Sequence, residues 1–234
     1  MIKSISSIYG NTLLTSDNWI RSLKPAAWFA STEGVLDSNN TPCAFGGSVS
    51  VWTDKSGNGN HLSQSNNSYM PTYQASQLNG YPTIRFDGVN DHLFNLVGPT
   101  NTISNLTILI VFKSSSTTNY TRVIVLGPSG SGEDYNNVSR AVLDTGYAES
   151  PTPSWRWNSG TSAECAASIS VGRPTPWGVY TARMENRNLR VGVNGGDITS
   201  TDLGTTNTGG VAGMLIGCSY ANGINPTSYT FAGI

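Results

Sequence analysis

The chain has 234 residues, a formal net charge of −1, and only 12% charged residues. It has no basic stripe that could neutralise phosphates, which argues against nucleic-acid binding. Its longest apolar run, Ile108 to Phe112, is far shorter than the roughly twenty residues that span a bilayer, so no membrane insertion is expected. Hydroxyl and amide side chains, 26 glycines and 9% aromatic residues favour an all-β, two-sheet antiparallel β-sandwich over a disordered chain.

The first 24 residues are predicted to form an N-terminal arm with one short helix. Met1 to Ser7 has no continuous apolar segment, so the sequence predicts no secretory signal. Ser16 or Asp17 can cap a helical turn, and Pro25 stops it. The arm either docks on the main domain or tethers it to a partner, and the main domain is predicted to span residues 25–234.

The first half of the main domain contains four segments with strand-like patterns. The strongest is Leu106 to Phe112, which is apolar on both faces at its end and therefore predicted to lie centrally in a sheet. The three earlier segments are Ala26 to Ala30, Ser48 to Trp52 and Thr83 to Phe86. A polar, glycine-punctuated loop follows each of the last two, and an Asn79-Gly80 turn precedes Thr83.

The second half continues the β pattern and contains no long helical segment. Its predicted strands are Arg122 to Gly127, Ser154 to Trp157, Trp177 to Arg183, Asn188 to Val193, Val211 to Gly217 and one that begins at Tyr229. Pro128 to Asn137 is predicted to be a long loop, and Asn194-Gly195-Gly196 a tight turn. The whole domain is therefore expected to have about a dozen strands.

The two polar loops are the most distinctive chemistry in the sequence. Asp54 to Gly59 imitates the start of an EF-hand loop, but its twelfth position is Ser65 rather than Glu, so an EF-hand is excluded. A different calcium site could use the oxygen-bearing residues Asp54, Asp87, Asn90 and Asp91. The alternative, which we favour, is that these side chains bond their own backbone while Gly57, Gly59 and Gly88 supply positive φ angles. No metal ligand or cofactor is assigned.

Five aromatic residues are candidates for stacking on sugar rings, provided that their side chains are exposed. They are Trp52, Tyr81, Trp155, Trp157 and Trp177. A tryptophan in a β-patterned segment more often lies in the core. Trp155 and Trp157 alternate onto one face and are flanked by Ser, Pro and Arg, so they are the better candidates for exposure.

The residues that usually carry catalysis or metal binding are scattered. His61 and His92 stand alone in predicted turns, where surface histidines are the simplest interpretation. Three widely spaced cysteines fit neither a disulfide framework nor a zinc site, and are predicted to be buried or partly buried thiols. They are Cys43, Cys165 and Cys218.

The order of motifs resembles the concanavalin A-like lectin/glucanase, or laminin-G-like, jelly-roll family. The resemblance rests on Trp52 to Asn60, on Asn79-Gly80 with Pro82, and on Arg85 to Asp91. The downstream segments Leu106 to Lys113, Trp177 to Arg183, Leu189 to Gly195, Leu215 to Gly217 and Phe231 to Gly233 follow the same order, so most of residues 25–234 is covered. This fold hosts many unrelated functions, so the resemblance implies the fold more specifically than the function.

Two departures from the family pattern bear on function. Family members often carry an acidic residue after the first Trp-aromatic pair, whereas Trp28-Phe29 is followed here by Ala30. The family pattern also enters one more strand at about Ile234. Three expectations stay open: the domain lacks its last strand, another chain completes the sheet at an open edge, or the sequence is part of a longer one.

Hydrolases of this fold resemble one another in a strand that bears Glu-x-Asp-x-x-Glu, and that pattern is absent. The five glutamates are predicted to lie in loop-like polar segments: Glu33, Glu133, Glu149, Glu164 and Glu185. No catalytic residue is assigned. The sequence and the resemblance predict a non-enzymatic bacteriophage virion structural protein (tail, fibre, baseplate or capsid decoration), with possible contacts to host glycans. Its partners would be other virion proteins or copies of itself. The alternative is a carbohydrate-binding module of a bacterial surface protein.

Overall fold

The fold consists almost entirely of β-strands. A computed structural model describes residues 16–102, 105–117, 121–127, 139–145, 153–159, 164–169, 174–185, 188–196, 199–202, 210–220, 224–225 and 231–233. Two antiparallel sheets account for most of these residues, which confirms the predicted all-β, two-sheet antiparallel β-sandwich. No helix within these ranges has the length and hydropathy needed to cross a membrane.

The helix α1 spans Ser16–Ser22, inside the segment predicted to be an N-terminal arm. Asp17 lies in its first turn and Arg21 in its last, so each charge complements the helix dipole. Pro25 follows shortly afterwards and lacks the N–H that would continue the helix. A 3-10 helix spans Asn67–Tyr69.

The described part of the chain contains eighteen strands, of which six have two residues. The twelve longer strands agree with the predicted dozen. In chain order the strands are β1 (Val35–Leu36), β2 (Val51–Trp52), β3 (Leu62–Ser63), β4 (Thr72–Leu78), β5 (Tyr81–Asp87), β6 (Leu93–Thr102), β7 (Asn105–Ser114), β8 (Arg122–Leu126), β9 (Ser139–Asp144), β10 (Ser154–Ser159), β11 (Glu164–Ser168), β12 (Thr175–Glu185), β13 (Asn188–Val193), β14 (Thr199–Asp202), β15 (Gly210–Ile216), β16 (Ser219–Tyr220), β17 (Ile224–Asn225) and β18 (Ala232–Gly233).

Two sheets carry sixteen of these strands. The larger sheet has nine strands in the order β1-β2-β3-β6-β15-β8-β9-β10-β11, and the smaller has seven in the order β14-β13-β12-β7-β18-β5-β4. The strands β16 and β17 form a separate ribbon. The late strand β15 lies between β6 and β8, and β18 lies between β5 and β7, so the end of the chain is inserted among earlier strands.

The predicted alternation of β12 is confirmed. The side chains of Tyr180, Ala182 and Met184 are 0% exposed, whereas Val179, on the opposite face, is 43% exposed. The strand β7, predicted to be central, pairs with β12 over nearly its whole length and is the fourth of the seven strands. The inward residues of the two sheets form one large core, and this core sets the positions of the loops at the strand ends.

The larger sheet is buried on both faces at β8, β9 and β15. A second cluster of fully buried residues, Val125, Val142, Leu215 and Cys218, lies apart from the main core. Strand alternation places Val125 and Val142 on the face opposite to the core residues of β8 and β9. Cys218 and Cys43 are buried free thiols, as predicted, while the side chain of Cys165 lies outside the described residues.

The prediction of a strand at Ala26 to Ala30 is wrong. The backbone N–H and C=O groups of this segment form hydrogen bonds with other parts of the chain. The N–H of Trp28 donates to Asp54 Oδ1 at 2.9 Å, and its carbonyl accepts from the N–H of Lys55 at 2.7 Å. The carbonyl of Ala30 accepts from the indole Nε1 of Trp52 at 3.0 Å. These hydrogen bonds hold the segment in place without pairing it to a neighbouring strand.

The structure also bears on the other predicted strands, turns and loops. Thr83 to Phe86 lies within β5, but of Ser48 to Trp52 only Val51–Trp52 is a strand, with an isolated bridge at Ser48. Asn79 and Gly80 both have positive φ, at 50° and 84°, as a tight hairpin turn requires. The predicted loop at 128–137 and the predicted strand start at residue 229 lie outside the described residues.

Candidate functional site

Asp54 is the hydrogen-bonding centre of the loop after β2. Its Oδ1 accepts from the N–H groups of Trp28 at 2.9 Å and Ser56 at 2.8 Å. Its Oδ2 accepts from Ser56 Oγ at 2.7 Å and from the N–H of Asn60 at 2.9 Å. Burial raises the pKa of the Asp54 carboxyl, but the hydrogen bonds from these three residues lower it by more, so the pKa lies below its ordinary value.

Lys55 connects the same loop to α1. Its Nζ lies 3.1 Å from Asp17 Oδ2, forms a second ion pair with Glu33, and sits 4.2 Å from the centroid of the Trp28 ring. The side chain of Lys55 is only 10% exposed, so the charge is held among these groups. Arg21 adds a hydrogen bond from Nη1 to the Lys55 carbonyl at 3.0 Å. These contacts attach α1 and the segment that follows it to the loop after β2.

The loop after β5 is organised by two neighbouring carboxylates. Asp87 Oδ1 accepts from the N–H groups of Val89, Asn90 and Asp91 at 2.8, 3.1 and 3.3 Å, and Asp91 Oδ2 accepts from the N–H of Asp87 at 2.9 Å. Gly88 has a φ of 79°, and a Cβ there would lie 2.4 Å from the Cβ of Ala232. Burial, together with the negative charge of Asp87, raises the pKa of Asp91 to about 6.

The favoured interpretation of the two loops is confirmed for Asp54 and Asp87, whose oxygens bond to backbone amides. Gly57 and Gly59 have positive φ angles of 93° and 75°, as predicted for these turns. Both oxygens of Asp54 already accept two hydrogen bonds each, so this carboxylate is poorly suited to bind a cation. In the described ranges no three His, Cys, Asp or Glu side chains come together as metal ligands.

The two histidines have different environments. His61 is exposed, as predicted, and its Nδ1 accepts from the N–H of Asp54 at 3.0 Å. His92 is only 2% exposed, so the prediction of a surface residue is wrong. Its Nε2 lies 2.7 Å from Gln64 Nε2 and its Nδ1 lies 2.9 Å from the Asn90 carbonyl. Burial lowers the pKa of His92, which makes it a neutral structural residue.

Among the aromatic candidates whose side chains the structure describes, Tyr81 is the most exposed, with 61% of the residue accessible. Trp52 is half-buried against Phe29, with 5.3 Å between ring centroids, and Trp177 is half-buried beside Lys113, whose Nζ lies 5.1 Å from the ring centroid. Trp155 is 0% exposed, which agrees with the core position favoured for a tryptophan in a strand and removes it as a candidate for stacking on sugars. It points between the sheets into the main core, and the side chain of Trp157 lies outside the described residues.

The two glutamates whose side chains the structure describes form ion pairs. Glu33 pairs with Lys55, and Glu185 pairs with Arg183 and lies 3.7 Å from Arg190. Contrary to the prediction of loop positions, Glu185 ends β12 and Glu164 begins β11. Glu133 and Glu149 lie outside the described residues.

A buried ionic cluster that was not predicted from the sequence connects three strands of the larger sheet. Arg122 Nη1 donates to Asp144 Oδ2 at 3.3 Å, and Arg156 Nε donates to the same oxygen at 2.8 Å. All three residues are at most 2% exposed. The available signal was the presence of charged residues in three strands with otherwise strand-like patterns, β8, β9 and β10. Removing one member of such a cluster leaves an uncompensated buried charge, so its main effect is on stability.

Comparisons with known proteins inform the fold. No protein-family profile and no curated protein matches the sequence. An arabinofuranosidase solved with arabinofuranosyl-alpha-1,2-xylobiose superposes with a TM-score of 0.51 at 13% identity, covering 89% of this chain and 55% of that one. Domains LG4-5 of the mouse laminin alpha1 chain give a TM-score of 0.46 at 12% identity, covering 63% of this chain. The CBM40 of the Ruminococcus gnavus IT-sialidase gives 0.41 at 18% identity, covering 54% of this chain and 70% of that one.

These similarities concern architecture only, because every identity is below 25%. This chain spans 38% of the laminin chain that it matches. The sheet order, the antiparallel pairing and the arabinofuranosidase superposition agree with the motif series in the two loops. The chain therefore has the concanavalin A-like jelly-roll fold that its sequence resembles.

Proposed function

We propose that this domain is a non-catalytic carbohydrate-binding module whose contact surface is centred on Tyr81. The observation that carries the proposal is the 61% exposure of Tyr81 on a lectin-type sandwich, immediately after the β4–β5 turn. Tyrosine offers an apolar ring face and a hydroxyl that can donate or accept. An exposed ring of this kind suits the apolar face of a sugar.

The neighbours of Tyr81 provide the polar part of such a surface. Successive residues of a strand point to opposite faces, so Tyr81, Thr83 and Arg85 share the outer face of the smaller sheet. Gln74 of β4 is the register partner of Thr83. Arg85 is exposed, and no ion pair is formed by its guanidinium within the described part of the chain. The Thr83 hydroxyl is buried, so the polar groups beside the ring are the Gln74 amide and the Arg85 guanidinium. A ring flanked by amide and guanidinium groups can bind and orient a glycan.

The acidic residues favour binding without hydrolysis. Glycosidases place two carboxylates on either side of a bond that is accessible to substrate. The nearest counterpart is the Asp87–Asp91 pair, in which one pKa is raised. Asp91, however, is only 7% exposed, and both carboxylates accept hydrogen bonds from their own loop. The pair therefore serves to shape the loop, and we propose that glycan binding requires neither these residues nor calcium.

Binding to a broad glycan array, with and without calcium, tests this proposal. We expect at least one class of glycan to bind equally in both conditions, and Tyr81→Ala to weaken that binding by about fivefold, since stacking contributes on the order of 1 kcal/mol. Phe45→Ala is the matched control, because Phe45 is a 63% exposed aromatic residue elsewhere on the surface. A blank array, or equal losses for the two variants, would contradict the proposal.

A finer assignment is that the domain belongs to a bacteriophage virion, as a structural protein of a tail, fibre, baseplate or capsid decoration. Two features support it: the resemblance to jelly rolls of virion proteins, and a chain with 12% charged residues and many hydroxyl and amide groups. The alternative is a module on a bacterial cell surface. Mass spectrometry of purified particles is expected to detect the protein. Its recovery in the cell-wall fraction, with none in particles, would reject the virion assignment.

A further inference from the structure

Two basic side chains lie at the same level on the smaller sheet. Gly233 of β18 pairs with Phe86 of β5 on one side and with Ser114 of β7 on the other. Arg85 and Lys113 each come one residue earlier in their strands, and β5 and β7 are both antiparallel to β18, so the two residues are level. Their backbones lie two strand spacings apart, about 9.5 Å.

Side-chain alternation places both basic residues on the outer face of this sheet. Phe86 belongs to the main core, so Arg85, its neighbour in β5, points to the opposite face. The same holds in β7 for Lys113, which follows the core residue Phe112. Arg85 is exposed and Lys113 is half-buried, so a ligand on this face can contact both charges.

An aromatic ring accompanies each basic residue on this face. Tyr81 is four residues before Arg85 in β5, about 13 Å away along the strand. Trp177 of β12 packs beside Lys113, whose Nζ lies 5.1 Å from the ring centroid. Sugar rings stack on aromatic side chains, and a negative group on a sugar pairs with a nearby cation. The combination therefore suits a charged sugar better than a neutral one.

Arg85 and Lys113 form no ion pair with any acid in the described part of the chain. Other basic side chains do, and Nη1 of Arg190 in the same sheet, for example, lies 3.7 Å from Oε2 of Glu185. A guanidinium presents a planar fork that matches a carboxylate, whereas an ammonium acts as a compact point charge. Two different kinds of anion contact are thus offered on one face.

The acids in the loop after β5 are occupied by backbone groups of that loop. Asp87 lies two residues beyond Arg85, and its Oδ1 accepts from three N–H groups. Asp91 is 7% exposed, and its Oδ2 accepts from the N–H of Asp87. Burial and the charge of Asp87 raise the pKa of Asp91, and the charge of Arg85 lowers it by less. Arg85 therefore acts on these carboxylates at a distance rather than through an ion pair.

We propose that the outer face of the smaller sheet binds an acidic polysaccharide, and that Arg85 and Lys113 select for its negative groups. This inference rests on the proposed glycan binding at Tyr81 and specifies the class of sugar. Tyr81 stacks on one sugar ring, and Arg85 pairs with a carboxylate or sulfate group of the chain. Lys113, beside Trp177, provides a second contact to an anionic group. A charge repeated along the polysaccharide lets both basic residues pair at once.

Isothermal titration calorimetry with hexasaccharides tests the proposal on the whole 234-residue protein in the absence of calcium. The probes are hexamers of galacturonic, mannuronic and glucuronic acid and a sulfated hexamer of galactose. Each is compared with its neutral counterpart, which is methyl-esterified or unsulfated. We expect at least one acidic hexamer to bind about tenfold more tightly than its counterpart, and added salt to reduce this difference. Equal binding within every pair, or no binding of any acidic hexamer, would overturn the inference.

Three variants locate the charge selectivity. Arg85→Gln and Lys113→Gln are each expected to weaken binding of the acidic hexamer by about fivefold, the effect of losing one partly exposed ion pair. Arg190→Gln is the matched control, because it removes the same charge from an arginine that already lies beside Glu185, and no change is expected. Equal losses for the three variants would show that only net charge matters, and would overturn the inference.

Polyphosphate and Tyr81→Ala separate this inference from the carbohydrate binding on which it rests. Inorganic polyphosphate is expected to bind about fivefold more weakly than the acidic hexamer, because it has no ring to stack on Tyr81. Equal binding would overturn the recognition of a sugar. Neutral hexamers that bind through Tyr81 as tightly as acidic ones would leave the proposed function standing and overturn the charge selectivity. Acidic binding that needs Arg85 but is unaffected by Tyr81→Ala would instead contradict the surface centred on Tyr81.

Discussion

Replacing Asp54 with alanine is expected to lower the free energy of unfolding by about 4 kcal/mol at pH 7. The substitution removes the acceptor of four hydrogen bonds from Trp28, Ser56 and Asn60. Each donor left unsatisfied in a buried position costs about 1 to 3 kcal/mol, and water reaching part of the loop reduces the total. Because Asp54 also fixes the segment that carries Trp28, the loss should extend to the contacts of α1.

Urea denaturation followed by tryptophan fluorescence measures this loss, and hydrogen exchange at the Trp28 and Asn60 amides locates it. Asp37→Ala is the matched control, since Asp37 also accepts from Asn39 and Thr41 but lies in a partly exposed turn. Its effect should be much smaller. Similar losses for the two variants, or a change below about 1 kcal/mol for Asp54→Ala, would show that the loop does not depend on this carboxylate.

Replacing Asp91 with asparagine is expected to stabilise the protein by about 2 to 3 kcal/mol at pH 8 and to have little effect at pH 4. Asp91 is 7% exposed, and its pKa of about 6 lies above the unfolded value. An acid with a raised pKa binds its proton more tightly in the folded state, so its contribution is most favourable below about pH 4. That contribution is lost as pH rises through 6. Asparagine keeps an acceptor for the N–H of Asp87 without the charge.

Free energies of unfolding at several pH values between 4 and 8 test this prediction. The difference between Asp91→Asn and the parent protein should grow as pH rises and level off above about 7. The contribution of Asp54 to the free energy of unfolding depends on pH in the opposite way. Because its pKa is lowered, this contribution is present above about pH 4 and is lost on acidification. A difference that is constant with pH would mean that Asp91 is not the group whose charge is disfavoured.

Patterns within one strand were enough to predict most of the fold. The alternation of Trp177 to Arg183 and the apolar run of Leu106 to Phe112 each predicted a strand, and the two strands are neighbours in the sheet. Alternation with a period of two and a short apolar run are both typical of strands. Ala26 to Ala30 has the same apolar character, yet Asp54, Lys55 and Trp52 occupy its backbone groups. Such bonds, between residues more than twenty positions apart, leave no local signal.

Burial was harder to predict than strand position. Trp155 was one of the two better candidates for exposure because polar residues flank it, but Arg156, its outward neighbour, is itself 2% exposed. Around β8, β9, β10 and β15 the larger sheet is buried on both faces, so polar neighbours do not identify a solvent-facing side there. His92 was misjudged for a related reason, because Gln64 and the Asn90 carbonyl satisfy its ring nitrogens in the interior. Tyr81 follows a tight turn near the end of a hairpin, where exposure is common.

Affinity electrophoresis through gels that contain the polysaccharide recognised on the array, combined with an assay for new reducing ends, tests binding without catalysis most directly. We predict that the parent protein is retarded, that Tyr81→Ala migrates as in a gel without polysaccharide, and that no reducing ends appear during prolonged incubation. Release of reducing ends that is lost in Asp87→Asn or Asp91→Asn, or retardation that is unaffected by Tyr81→Ala, would contradict the account.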